Sequence, residues 1–147
     1  MKNSSEKNLD TKLINALGRA YRSAQIRSLR LLYQYGLTMP QFTVLEVLYY
    51  RGDMTVKEII ETVLSSGGSM TVVIRNLEQQ DLVKRRENSA DRRSYLISIT
   101  EKGKKVMKEV LPLCVEEIGD ILSVFSDEEK KTMIGYLDRL LAAQTPS

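Results

Sequence analysis

The 147-residue sequence predicts a mainly α-helical fold with one small β-hairpin (α+β), its elements in the order ααααββαα. Three observations carry that expectation. Apolar residues recur at helical spacing through both terminal thirds. Three Ser/Thr-x-x-Glu/Gln signals, at Thr38, Thr55 and Ser126, each mark the start of a helix. Between residues 82 and 99, two stretches of strand composition flank a polar loop.

Leu9, Leu13, Leu17, Ala20, Ala24 and Leu31 place one long amphipathic helix over residues 9–34, with Arg19, Arg22, Arg27 and Arg30 on its other faces. Gly36 ends it. Thr38 caps a second helix, with Pro40 in its first turn and Gln41 at its third position, and Gly52-Asp53 breaks that helix after Arg51. Thr55 and Glu58 open a third, whose apolar side is Ile59, Ile60, Val63 and Leu64. Ser65 to Gly68 reads as a turn. A fourth helix then runs from about Ser69 to Gln80, with Met70, Val73, Ile74 and Leu77 as its apolar stripe and Ser69, Thr71, Val72, Arg75, Asn76 and Gln79 outside. Leu82–Arg86 and Arg93–Ile99 are the strands. Thr100 caps a long helix in which Pro112 should bend the axis or remove a hydrogen bond, and Ser126 starts the last helix.

Composition sets the class. With 42% hydrophobic and 28% charged residues the chain is expected to be globular. No stretch has the apolar length of a membrane span, and the N-terminus shows no secretory signal. The single cysteine, Cys114, excludes an intrachain disulfide, and with these features points to the cytoplasm. Net charge is +3, unevenly spread: +5 over residues 1–38, −2 over 39–64, +4 over 65–105 and −4 over 106–147. A basic central unit suits a polyanion. An enzyme is not expected: there is no histidine, no metal-ligand spacing, no phosphate loop and no nucleophile–base pair, so neither metal nor cofactor is implied.

The residues from Thr55 to Thr100 carry the functional reading. Two short helices followed by a basic-tipped hairpin can lay one helix in a DNA major groove with an arginine loop beside it. Small polar residues near the start of such a helix allow close approach to base edges. Ser66, Ser69 and Thr71 fit that need. Arg75, one turn deeper, suits a guanine or a phosphate, and Val72 suits a thymine methyl. Gly67 and Gly68 either supply the backbone angles of a tight turn or let the backbone approach DNA. The hairpin tip, Asp91-Arg92-Arg93, follows Arg85 and Arg86 on the incoming strand. An arginine there can enter a narrow minor groove, and an adjacent acid can hold its side chain in place. The amphipathic terminal helices need a partner surface, most simply a second copy of the chain.

Together, Leu37-Thr38-x-x-Gln41-Phe42-x-Val44-Leu45, Thr71-x-x-Ile74-x-x-Leu77-Glu78, Leu82-Val83, and Asp91-x-Arg93 leading to Leu96-x-x-x-Thr100-x-Lys102-Gly103 resemble the MarR (multiple antibiotic resistance regulator) family over residues 9–142. The resemblance implies a single winged helix-turn-helix domain over 1–147. Residues 37–100 would form the DNA-binding lobe, and 9–34 and 101–143 the dimerisation helices. It also implies a homodimeric transcription factor, usually a repressor, on a pseudo-palindromic double-stranded operator. The recognition helix would run from about Ser66 to Gln80, with Arg93 as wing arginine, Asp91 its orienting partner and Arg92 a weaker contact. Two positions depart from the pattern. Asp81 stands where glycine is common, and no proline precedes the wing acid in Asn88-Ser-Ala-Asp91.

Family members release DNA on binding a small aromatic or phenolic effector, or on cysteine oxidation. Tyr21, Tyr33, Phe42 and Tyr49, with Tyr50, are the aromatic candidates for an effector site. Cys114 is the redox candidate, although its acidic neighbours Glu116 and Glu117 argue for a buried structural role. The alternative functions are thus a regulator switched at Cys114, or a winged-helix adaptor that binds protein instead of DNA.

Overall fold

The computed structural model describes residues 4–63 and 67–144. The elements are α1 (Ser4–Gln34), α2 (Met39–Arg51), β1 (Met54–Thr55), α3 (Val56–Val63), α4 (Gly67–Gln79), β2 (Val83–Glu87), β3 (Tyr95–Ile99), α5 (Glu101–Ile121) and α6 (Asp127–Gln144). No described helix is long and apolar enough to cross a membrane.

Local chemistry sets most of the boundaries. The Thr38 N–H donates to Gln41 Oε1 at 2.9 Å and the Gln41 N–H returns to Thr38 Oγ1 at 3.4 Å, which explains why Gln41 is buried yet satisfied. Thr55 with Glu58, and Ser126 with Glu129, close the same reciprocal pair at α3 and α6. The α1 terminus is a Schellman turn. Gly36 takes φ +67°, its N–H donates to the Tyr33 carbonyl, and the Leu37 N–H reaches back to the Leu32 carbonyl at 3.0 Å. Leu32 and Leu37 both bury in the core beneath that turn.

Helix α2 lies at the centre, touching α1, α3, α4, α5 and β3. Val44, Leu45 and Leu48 from α2 join Ile59 of α3, Ile74 and Leu77 of α4, Ile97 of β3, and Met107 and Val110 of α5 in one core. The lower half of α1 packs on α5 and α2, while Leu9, Leu13 and Ile14 near its start are exposed. No residue of α6 is buried.

The structure corrects the expected element order. A two-residue strand, β1, precedes α3 and pairs antiparallel with β3 (Met54 opposite Ile97), so the hairpin is part of a three-stranded sheet in the order β1-β3-β2. Two residues carry no periodicity, so β1 has no local signature. Gly67 and Gly68 belong to the first turn of α4, not to the turn before it. Helix α1 begins at Ser4, earlier than the apolar pattern indicated. Helix α5 continues through Pro112. Leu64, Ser65 and Ser66 lie outside the described residues.

Candidate nucleic-acid interface

Helix α4 turns Met70, Ile74 and Leu77 into the core, which leaves Thr71, Val72, Arg75 and Gln79 on the opposite, exposed face. Ser69 is also exposed, near the helix start. Ser66, the remaining expected contact of this helix, lies outside the described residues.

The hairpin tip is built by side chains that bond the local backbone. The Ala90 N–H donates to Asn88 Oδ1 at 3.1 Å, and the Arg93 N–H donates to Asp91 Oδ1 at 3.0 Å. Asn88 Nδ2 donates across the loop mouth to Ser94 Oγ at 2.8 Å, and that hydroxyl donates onward to the Asp91 carbonyl at 3.1 Å. The Asp91 carboxylate, which the sequence suggests as a partner for the Arg93 side chain, holds the Arg93 backbone. Arg92 and Arg93 stay exposed, and like Arg75 they form no ion pair among the described residues.

The strand arginines behave differently. Arg85 Nε lies 2.9 Å from Glu78 Oε1 on α4, and Arg86 Nη1 lies 3.1 Å from Asp53 Oδ2 before β1. Both tie the hairpin to its neighbours, so the arginines of α4 and the hairpin without an ion pair among the described residues are Arg75, Arg92 and Arg93, with exposed Lys84 also on β2. The parts of Asn88 and Ser94 in building this tip are not foreseen from the sequence. Their signal is weak: two small polar residues bracketing the Asp-Arg-Arg tip.

A second cluster bolts this unit to α5. Thr100 Oγ1 accepts the Gly103 N–H at 3.0 Å as helix cap and donates to the Asp81 carbonyl at 2.7 Å. Lys102 Nζ donates to the Gln80 carbonyl at 2.6 Å. At Gly103 a Cβ would collide with the Leu82 carbonyl oxygen, so only glycine lets the helix start approach so closely. Beside it, Lys104 holds the exposed Glu101 carboxyl below its usual range, by hydrogen bond and charge.

Residues 37–95 match the family model for the MarR family. The HTH-type transcriptional regulator MhqR of Bacillus subtilis is 37% identical over 129 residues, 88% of this chain and 89% of that protein. The chain belongs to the MarR family. Its fold is that of a MarR family protein from Bacillus stearothermophilus (26% identity, 95% of this chain and 98% of that one, TM-score 0.77). The fold is shared as well by Bordetella bronchiseptica BpsR, whose DNA binding is regulated by 6-hydroxynicotinic acid (20% identity, 90% and 93% coverage, TM-score 0.80). As a MarR-family protein the chain is a DNA-binding transcriptional regulator of the winged helix-turn-helix type, in which helix α4 is followed by the β2–β3 hairpin.

The aromatic candidates scatter over this MarR-family fold. Tyr21 helps line an open, mostly apolar cavity of about 240 Å³ between α1, the start of α2 and the end of α5, with Gln25, Ser28, Met39, Ile118 and Leu122. Gln25 Nε2 donates to the Tyr21 hydroxyl at 2.9 Å on its wall. Tyr33 is 77% exposed and stands outside that cavity. Phe42 and Tyr49 are half-buried against the core. Exposed Tyr50 stacks edge-on against Tyr49. Cys114 is buried, and burial first, then the Glu117 and Glu46 carboxylates, push its thiol up from its ordinary pKa. That opposes the thiolate which oxidants attack.

Proposed function

We propose that this MarR-family regulator is a homodimeric repressor that reads two half-sites of a pseudo-palindromic operator and leaves DNA when a small aromatic or phenolic compound binds. In this reading residues 37–100 form the DNA-binding lobe, and residues 9–34 and 101–143 join the two copies. Helix α4 enters the major groove with Ser69, Thr71, Val72 and Arg75. The wing places Arg93, backed by Arg92, in the adjacent minor groove. Bound across a promoter, such a dimer excludes polymerase.

One observation carries the dimer. The 18-residue helix α6 buries nothing, although it bears Met133, Ile134, Tyr136, Leu137, Leu140 and Leu141, and exposed Leu9, Leu13, Val115 and Ile118 extend the apolar surface over α1 and α5. A monomer in water rarely leaves so many large apolar side chains uncovered on its terminal helices. The opposite charge balance of residues 1–38 (+5) and 106–147 (−4) favours antiparallel apposition of two copies.

The effector part rests on the cavity between α1, α2 and α5. It offers apolar walls and the Tyr21 hydroxyl as a polar handle, and is smaller than most drug sites, so it suits a single substituted ring. It sits where the terminal helices meet the DNA-reading unit, so a ligand there can shift one against the other.

Sedimentation equilibrium of the parent and of Leu137→Glu tests the dimer. Twice the mass of one chain is expected for the parent, and a monomer that no longer footprints DNA for the variant. A parent that sediments as a monomer while binding DNA contradicts it. A footprint of two half-sites about one helical turn apart is expected for the parent.

A further inference from the structure

We propose that Asn88 and Ser94 are positioning residues for DNA reading: their side-chain clasp across the mouth of the wing loop presets the backbone that carries Arg93. The inference rests on the assignment of Arg93 to the DNA, and adds residues that make no contact of their own.

The last hairpin pair is Glu87 opposite Tyr95, so residues 88–94 form a loop outside the strand ladder. A loop of that length, left to itself, samples many conformations. Here two successive turns close within it, Asp91 N–H to the Asn88 carbonyl at 3.2 Å and Ser94 N–H to the Asp91 carbonyl at 3.1 Å. The clasp locks both. Asn88 is committed twice, through Oδ1 to Ala90 and through Nδ2 to Ser94, and Ser94 Oγ passes the constraint to the Asp91 carbonyl.

The result converges on one residue. The N–H of Arg93 is held by Asp91 Oδ1, and the next N–H, that of Ser94, is held by the Asp91 carbonyl. Both peptide groups flanking the Arg93 Cα are therefore pinned, while its guanidinium is exposed and makes no ion pair among the described residues. Backbone bonds thus fix where the Arg93 side chain leaves the loop, and its charge is left for a phosphate-lined groove. Ordering done in the free protein need not be done on binding, and this raises affinity without any added contact. The sequence between Asn88 and Asp91 lacks the proline that would stiffen the loop by its ring, and the clasp supplies the same restriction through hydrogen bonds.

A double-mutant cycle tests this. The probe is a duplex recovered by in vitro selection from random-sequence DNA with the parent protein, and the readouts are affinity by fluorescence anisotropy and thermal midpoint. Asn88→Ala and Ser94→Ala are each expected to weaken binding about three- to tenfold with the thermal midpoint nearly unchanged. Ser94→Thr, which keeps the hydroxyl, is expected to bind like the parent. In an Arg93→Ala background, Asn88→Ala is expected to cost nothing more, because the clasp acts through that arginine. Parent-like binding by both Asn88→Ala and Ser94→Ala, beside a weakened Arg93→Ala, overturns the clasp alone. An undiminished Asn88→Ala loss in the Arg93→Ala background does the same. Parent-like binding by Arg93→Ala overturns the wing assignment itself. Ser94→Ala decides the question where Asn88→Ala does not fold.

Discussion

The hydroxyl of Thr100 at the start of α5 donates a 2.7 Å hydrogen bond to the carbonyl of Asp81, the residue that turns the chain from α4 into β2. The backbone repeats the link, with the Thr100 N–H donating to the Leu82 carbonyl at 3.0 Å. The α4–β2 corner is thus fastened to the start of α5 by two hydrogen bonds from Thr100. Gly103 permits that close approach. Gly103→Ala places a methyl against backbone that cannot move aside, so a loss of about 1–3 kcal/mol is expected in urea unfolding.

Asp81 carries the opposite expectation. It occupies the left-handed region at φ +59° and closes a Schellman turn, its N–H donating to the Glu78 carbonyl and the Leu82 N–H to the Leu77 carbonyl, both at 2.9 Å. The Cβ of an L-residue is strained there, while glycine is not, and this explains the glycine common at this position in the family. Asp81→Gly keeps the carbonyl that Thr100 uses and is expected to stabilise the protein by about 0.5–1 kcal/mol, read as a higher urea midpoint.

The α3 capping box gives a pH dependence. Hydrogen bonds from the Thr55 N–H and then the Thr55 hydroxyl hold the Glu58 carboxyl below its ordinary value. A carboxylate depressed in the folded state contributes fully above its unfolded pKa, and that contribution is lost as pH falls through the folded one. Stability should therefore fall on acidification below the ordinary carboxylate range, and should fall less in Glu58→Gln, whose side chain does not titrate. Urea midpoints of both proteins at neutral pH and at about pH 3 measure the difference.

Cys114 is expected to be silent toward oxidants. Its thiol is buried on α5 and pushed toward the neutral form by burial and by Glu117 and Glu46. Parent and Cys114→Ser should keep or lose DNA at the same peroxide concentrations. A parent released at concentrations that leave Cys114→Ser bound would restore a redox switch.

Much of this was written locally. Thr38, Thr55 and Ser126 each announced a helix start through a reciprocal bond spanning three residues, and Gly36 announced an end, because these signals need nothing beyond their own turn. The exposed face of α4 followed from helical spacing once Met70, Ile74 and Leu77 were assigned to the core. What stayed hidden depends on distant partners. Met54 becomes a strand residue only opposite Ile97, and Arg86 is neutralised by Asp53, 33 positions away. The basic incoming strand therefore read as part of the DNA-facing charge, whereas Arg85 and Arg86 are committed to ion pairs. Aromatic type alone singles out the effector candidates, and type does not place Tyr21 on a cavity wall or Tyr33 in solvent.

The division between committed and available arginines leads to the most direct test of the DNA-reading assignment. Affinity for the selected duplex, measured over a range of salt concentrations, should weaken in Arg75→Ala and Arg93→Ala, with the salt slope reduced by about one for each phosphate that is no longer neutralised. Arg85→Ala, which removes a charge already paired with Glu78, should keep the parent's slope. Parent-like affinity and slope in both Arg75→Ala and Arg93→Ala would contradict the account, and weakened binding confined to Arg85→Ala would move the interface to the strand.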